Sequence, residues 1–180
     1  KRLLLPAMLS FSLMTGVSSF AQQNINFSGA SDWAKAEIAK AGEYNLLTDR
    51  ISGNYTGNIT REEFCELVIM LYMSLSGNVT PETGSNPFTD TQNENIIAAN
   101  KLGIVYGVGS NRFAPNNSAT REEIAVMLYR ALKAAKPETG FSGSSYRVFS
   151  DQDEISDWAI NEILYLTESG IINGTGNGYF

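Results

Sequence analysis

The 180-residue chain has no histidine and one cysteine. Without an imidazole there is no Ser-His-Asp or Cys-His catalytic unit and no nitrogen ligand for zinc. A single cysteine cannot close an intrachain disulfide, a CxxC redox pair or a thiolate metal site, so apolar packing must hold the fold. Hydrophobic residues at 43% are enough for that. Positive charge is scarce too: 13 Lys and Arg face 19 Asp and Glu, a formal charge of −6. That balance disfavours nucleic acid, whose binding rests on neutralised phosphates, and a basic polymer or a sugar is the better match.

Long apolar runs are missing as well, and a membrane span needs about 20 such residues. The nearest approach, Leu3 to Val17, is broken by Pro6, Ser10, Ser12 and Thr15. It follows Lys1-Arg2 and precedes Ser19-Phe20-Ala21, a small-x-small cleavage pattern, so residues 1–21 read as a secretory signal peptide. Taking Lys1 and Arg2 from the 13 basic residues leaves 11 against 19 acidic ones, or −8. The product is expected to be exported, with cell wall, periplasm and medium all open. The chain opens without Met and stops at Tyr179-Phe180 after a Gly-rich turn, the pattern expected of a fragment.

What the chain has in abundance is internal repetition. Thr60-Arg61-Glu62-Glu63-Phe64 recurs 60 residues later as Thr120-Arg121-Glu122-Glu123-Ile124. Ser31-Asp32-Trp33-Ala34, with Glu37-Ile38, recurs 125 residues on as Ser156-Asp157-Trp158-Ala159, with Glu162-Ile163. Phe88-Thr89-Asp90 matches Phe149-Ser150-Asp151, and the segment from Gly103 to Gly109 matches that from Gly170 to Gly176. Repetition at such periods marks stacked supersecondary units. The organisation predicted is a signal peptide (1–21), a first unit (27–77), a linker (78–85), a second unit (86–135), a second linker (136–146) and a third, incomplete unit (147–180).

Each unit reads as helix, loop, helix, giving an all-α fold. Trp33, Ile38, Ala41 and Leu46 share a helical face that stops at Asn45, the position of Gly103 and Gly170; both residue types tolerate the left-handed conformation that ends a helix. Thr60 and Thr120, each with Glu three residues on, form capping boxes. Phe64, Leu67, Val68, Leu71 and Tyr72 then make a core-facing stripe. Five of six intended helices are expected, with second helices near 60–75 and 120–134 packed together. Cys65 reads as a small buried residue.

An aromatic-x-Asp start, a Trp-Ala helix, a Gly-Ile-x-x-Gly turn, Phe113-Ala114-Pro115 and the Thr-Arg-x-Glu helix starts together resemble the S-layer homology family. The resemblance runs over residues 27 to 180. It implies three tandem repeats in a pseudo-threefold arrangement, with a central bundle of second helices and surrounding prongs. It further implies a noncovalent module, at the cell wall or cell surface, that binds wall-linked polysaccharide in grooves between units. Departures from the family pattern are Gly29 where the family has Asp, the second unit's short first helix without Trp, and Glu62 and Glu122 where the family usually has Ala.

The candidate ligand-binding residues are Arg61, Glu63, Arg121, Glu123, Trp33, Trp158, Asp90, Asp151, Gly107 and Gly109. Arg61 and Arg121 sit just inside helix N-termini, where free amides favour an anion. A guanidinium fork there suits a planar carboxylate, such as the sugar acid or pyruvyl ketal that the resemblance suggests. The competing reading is a surface charge paired with Glu62, Glu63 or an acidic neighbour. Trp33 and Trp158 read first as core anchors and second as platforms for a sugar face. Asp32, Asp90, Asp151 and Asp157 read first as caps and second as partners of sugar hydroxyls. Gly107 and Gly109, like Gly174 and Gly176, lack a following GK[ST] and a preceding strand, so turn geometry outweighs a phosphate loop.

No catalytic residue, metal or cofactor is expected. A glycosidase would need a carboxylate pair about 5 to 10 Å apart across a cleft, whereas the carboxylates that stand out here repeat at capping positions. The alternative is that the chain begins a larger envelope enzyme of glycoside hydrolase type, or an outer-membrane protein. Self-association through a region beyond Phe180 is left open.

Overall fold

The computed structural model describes residues 25–77, 79–138 and 148–180. The expected signal peptide and most of the second linker lie outside them. Among the described residues there are five α-helices: α1 (Asp32–Glu43), α2 (Arg61–Leu75), α3 (Glu94–Lys101), α4 (Arg121–Ala135) and α5 (Ile160–Glu168), with a short 3-10 turn at Gln152–Glu154. No strand occurs among the described residues, so the fold is all-α.

The second helices start where the capping boxes place them. Thr60 Oγ1 accepts from the Glu63 amide at 3.2 Å while the Glu63 carboxylate accepts from the Thr60 amide at 2.8 Å; Thr120 and Glu123 repeat this at 3.2 and 3.0 Å. The first helices end on the left-handed residues Asn45, Gly103 and Gly170, with φ of 55°, 71° and 67°. In each, the next amide reaches back to the last turn, from Leu46, Ile104 and Ile171 to Ala41, Ala99 and Leu166, at 2.8, 2.8 and 2.9 Å. These bonds satisfy carbonyls that a helix end otherwise leaves open.

Packing follows a relay. α2 lies against α4, while α3 packs on α2 and α5 on α4, so the first helices of the second and third units each cover the second helix of the unit before. One core joins Cys65, Val68 and Ile69 of α2 to Ile96, Ile104, Phe113 and Met127; another joins Ala125 and Val126 of α4 to Phe149, Ala159, Ile163 and Leu166. Two faces of α4 therefore serve two cores. Each large buried side chain contributes about 1.5 to 3 kcal/mol relative to exposure. Cys65 is buried, as its small apolar character suggested, and burial pushes its thiol pKa far up.

The tryptophans are not core anchors: Trp33 is 83% exposed and Trp158 50%. Among the described residues α1 covers no second helix of an earlier unit, and Gly42 is its one buried residue. Trp158 lies in the turn before α5, whose buried face is carried by Ile163, Leu164 and Leu166. Ser31 stands at the N-cap of α1 without a side-chain bond.

Glu62 and Glu122 act across units. Glu122 accepts from the Ser156 amide at 2.8 Å and from its hydroxyl at 2.9 Å, and Glu62 accepts from Asn93 Nδ2 at 2.9 Å. Asn93 is the N-cap of α3. Both carboxylates thus clamp the start of the next unit's first helix. Glu122→Ala should lower unfolding stability by about 1.5 to 3 kcal/mol, the range for hydrogen bonds to a charged group; urea denaturation midpoints matching wild type would contradict the clamp.

Candidate functional site

Arg61 is the first residue of α2, but its side chain serves the next unit. It is 4% exposed. Nε donates to the Phe113 carbonyl at 2.9 Å, Nη2 donates to the Tyr106 carbonyl at 3.1 Å, and Nη1 pairs with Glu123. The guanidinium also lies over the Phe113 ring, 4.7 Å from its centroid. The Glu123 carboxylate meanwhile completes the capping box of α4. One arginine thus ties α2, α4 and the loop from Tyr106 to Phe113 together.

Arg121 repeats half of this arrangement. Nη2 donates to the Asn173 carbonyl at 2.9 Å and the guanidinium lies 4.8 Å from the Phe180 ring centroid, but the side chain is exposed. It borders a cavity of about 230 Å³ with Ile124, Ala125, Ile172, Asn173 and Phe180. Asp90 and Asp151 hold the loops that carry the two phenylalanines. Asp90 accepts from the Phe113 and Ala114 amides at 2.8 and 2.9 Å, and Asp151 accepts from the Phe180 amide at 2.9 Å. The Phe113 amide foremost, with those of Ala114 and the Arg112 side chain, holds the Asp90 carboxyl below the usual aspartate range against partial desolvation. Gly107 is required by space, since a Cβ there would stand 2.6 Å from the Arg112 carbonyl. Gly109, with φ of 103°, makes the tight turn that pairs with Arg112.

Between these loops runs an open groove of about 240 Å³. The loop from Ile104 to Val108 forms one wall, Glu123, Val126, Met127 and Arg130 of α4 form the floor, and Trp158 stands on the far side. Tyr106 and Val108 are exposed within it. The Arg130 guanidinium lies 4.7 Å from the Tyr106 ring centroid and, among the described residues, forms no ion pair. Two exposed rings and a cation without a carboxylate therefore face one channel. Such a channel can stack an apolar sugar face and fork an anionic substituent.

Of the ten residues singled out by sequence, Arg61, Glu123, Gly107 and Trp158 meet at this groove. Asp90 lies behind its wall. Arg121 borders the neighbouring cavity, Asp151 and Gly109 shape loops, and Glu63 lines a separate pocket with Tyr55 and Ile59. Trp33 stands apart on exposed α1. Tyr106 and Arg130 were missed. Their counterparts one unit earlier are Thr48 and Met70, so a search for repeated residues passes over them.

Arg61 and Arg121 should respond differently to removal. Arg61→Met leaves Glu123 and two carbonyls without their partner in a buried setting and should lower stability by about 3 to 5 kcal/mol. Arg121→Met, at an exposed site, should lower it by less than about 1 kcal/mol. Equal losses in denaturant unfolding would contradict the asymmetry.

The sequence profile of the S-layer homology domain matches residues 87–125 and 148–180. An amylopullulanase of Thermoanaerobacterium thermosulfurigenes is 35% identical over 159 residues, covering 83% of this chain and 8% of that protein. The exoglucanase XynX of Acetivibrio thermocellus is 32% identical over 180 residues, covering 93% and 16%, and an endoglucanase of Bacillus sp. (strain KSM-635) is 28% identical over 155 residues, covering 83% and 16%. The chain thus spans a small fraction of these relatives' length. With α3 and α5 each leading from an aromatic-x-Asp loop to a glycine stop in the two profile-matched segments, these are S-layer homology repeats, and the chain belongs to the S-layer homology family.

Proposed function

We propose that this chain is a noncovalent anchoring module that holds an exported bacterial protein at the cell surface by binding wall-linked polysaccharide, with the groove between Tyr106 and Trp158 as its site. The observation that carries the reading is the conjunction in one channel of two exposed rings and Arg130, which forms no ion pair among the described residues. Sugars present apolar C–H faces to rings, and an acidic substituent would meet the guanidinium as a planar fork. The carboxylates nearby are already engaged: Glu123 with Arg61 and the Thr120 amide, Asp90 with the Phe113 loop. That favours holding a ligand over cleaving one.

Export through the signal peptide expected at residues 1–21 is part of this reading, and no described helix is long and apolar enough to cross a membrane. The relatives are named as polysaccharide-acting enzymes, and this chain covers only 8 to 16% of the three given above. The cargo we propose is accordingly an enzyme of that kind, with its catalytic region outside the residues considered. Arg121, with exposed donors at the neighbouring cavity, is a second anion contact for the same bound glycan in this scheme.

Trp158→Ala tests the site. Retention by purified cell walls should fall about ten-fold or more, equivalent to at least 1.4 kcal/mol, with an unchanged helical circular dichroism spectrum. Undiminished retention would move the site away from the groove.

A further inference from the structure

The first two units share a register that lets their grooves be compared residue by residue. Aligning the left-handed residues Asn45 and Gly103, and the capping residues Thr60 and Thr120, places Thr48 where Tyr106 stands, Arg50 where Val108 stands, Glu66 where Val126 stands and Met70 where Arg130 stands. On the opposite wall, Asn93 matches Ser156, since each is held by the corresponding glutamate of the preceding second helix. The earlier groove has therefore lost the aromatic ring and the free cation, and has gained a carboxylate in its floor.

That carboxylate is covered from within the chain. Glu66 is 6% exposed, accepts from Asn93 Nδ2 at 2.7 Å and pairs with Arg50 Nε at 3.2 Å. Arg50 Nη1 also pairs with Glu62 at 3.3 Å, the carboxylate that clamps the N-cap of α3. Arg50 thus extends from the loop of one wall, across α2, to the carboxylates that hold the other wall. In the later groove the same position is the exposed Val108, which reaches across to nothing charged.

Resting on the reading that the open groove binds wall polysaccharide, we propose that the earlier groove is closed by an Arg50 strap over Glu62 and Glu66, so that of these two grooves the later one alone holds a saccharide. An acidic glycan meets Arg130 and Tyr106 in the later groove. In the earlier one it meets buried carboxylates whose cation is already taken, and unlike charge at the floor is what separates the two. Wall attachment through these units is then monovalent, without the gain in avidity that two linked sites would bring.

Isothermal titration of the full chain with size-fractionated polysaccharide released from purified cell walls tests this. Wild type should show one site per chain. Arg130→Met, which installs the earlier groove's residue, should weaken that site about ten-fold or more, and Tyr106→Thr should weaken it in the same direction should the first variant fold poorly. Arg50→Ala should leave the stoichiometry at one, because Glu62 and Glu66 still repel an acidic glycan. Two equivalent sites in wild type would overturn the strap while leaving wall binding intact; a second site appearing in Arg50→Ala would show that the strap alone closes the earlier groove and would overturn the part given to repulsion by Glu62 and Glu66. Full affinity in both Arg130→Met and Tyr106→Thr would overturn the assignment of the site, and absence of any binding by wild type would remove the underlying reading and this inference with it.

Discussion

The groove proposed as the ligand site depends on the insertion of Arg61 into the unit that follows it. Its guanidinium is the most buried charge described, and it is satisfied on each side: carbonyls of Tyr106 and Phe113, the carboxylate of Glu123 and the face of Phe113. The loop from Ile104 to Phe113 is one wall of the groove and Glu123 is in its floor, so the arginine fixes both before any ligand arrives. Preformed geometry of this kind lowers the ordering cost of binding. Arg61 therefore shapes the proposed site as a positioning residue, and a position at a helix N-terminus, which suggests an anion site, here supplies an internal clamp.

The same logic runs through the other repeated residues. Glu62 and Glu122 hold the next unit's helix start, Asp90 and Asp151 hold the next loop, and glycines sit where a Cβ would collide with backbone. Each of these hydrogen bonds joins residues distant in sequence, and those of Glu62 and Asp90 recur at the equivalent place one unit later. A unit taken alone would leave its second helix uncovered, which is why the described units form a relay from α2 to α3 and from α4 to α5.

Much of the fold was legible because its determinants are local. Capping boxes at Thr60 and Thr120, and left-handed stops at Asn45, Gly103 and Gly170, are read from a few adjacent residues, and they set helix bounds and unit register alike. The candidate site was legible only in part, for a physical reason. Repetition marks residues that perform the same structural task in each unit, and Arg61 and Asp90 are such residues. A ligand groove needs its distinguishing groups in one place, and Tyr106 and Arg130 are unmatched by Thr48 and Met70. The tryptophans misled from the other direction: a large ring near a helix start reads as core, yet Trp158 precedes its helix and Trp33 rides on a helix whose covering partner is not among the described residues.

The exposure of both tryptophans supplies the most direct measurement. The sequence holds two, so a Trp33→Phe chain reports only on Trp158 and a Trp158→Phe chain only on Trp33. Titration with wall polysaccharide should produce a saturable change in tryptophan fluorescence in the first chain and none in the second. A change confined to the chain that retains Trp33 would contradict the groove as the site of attachment.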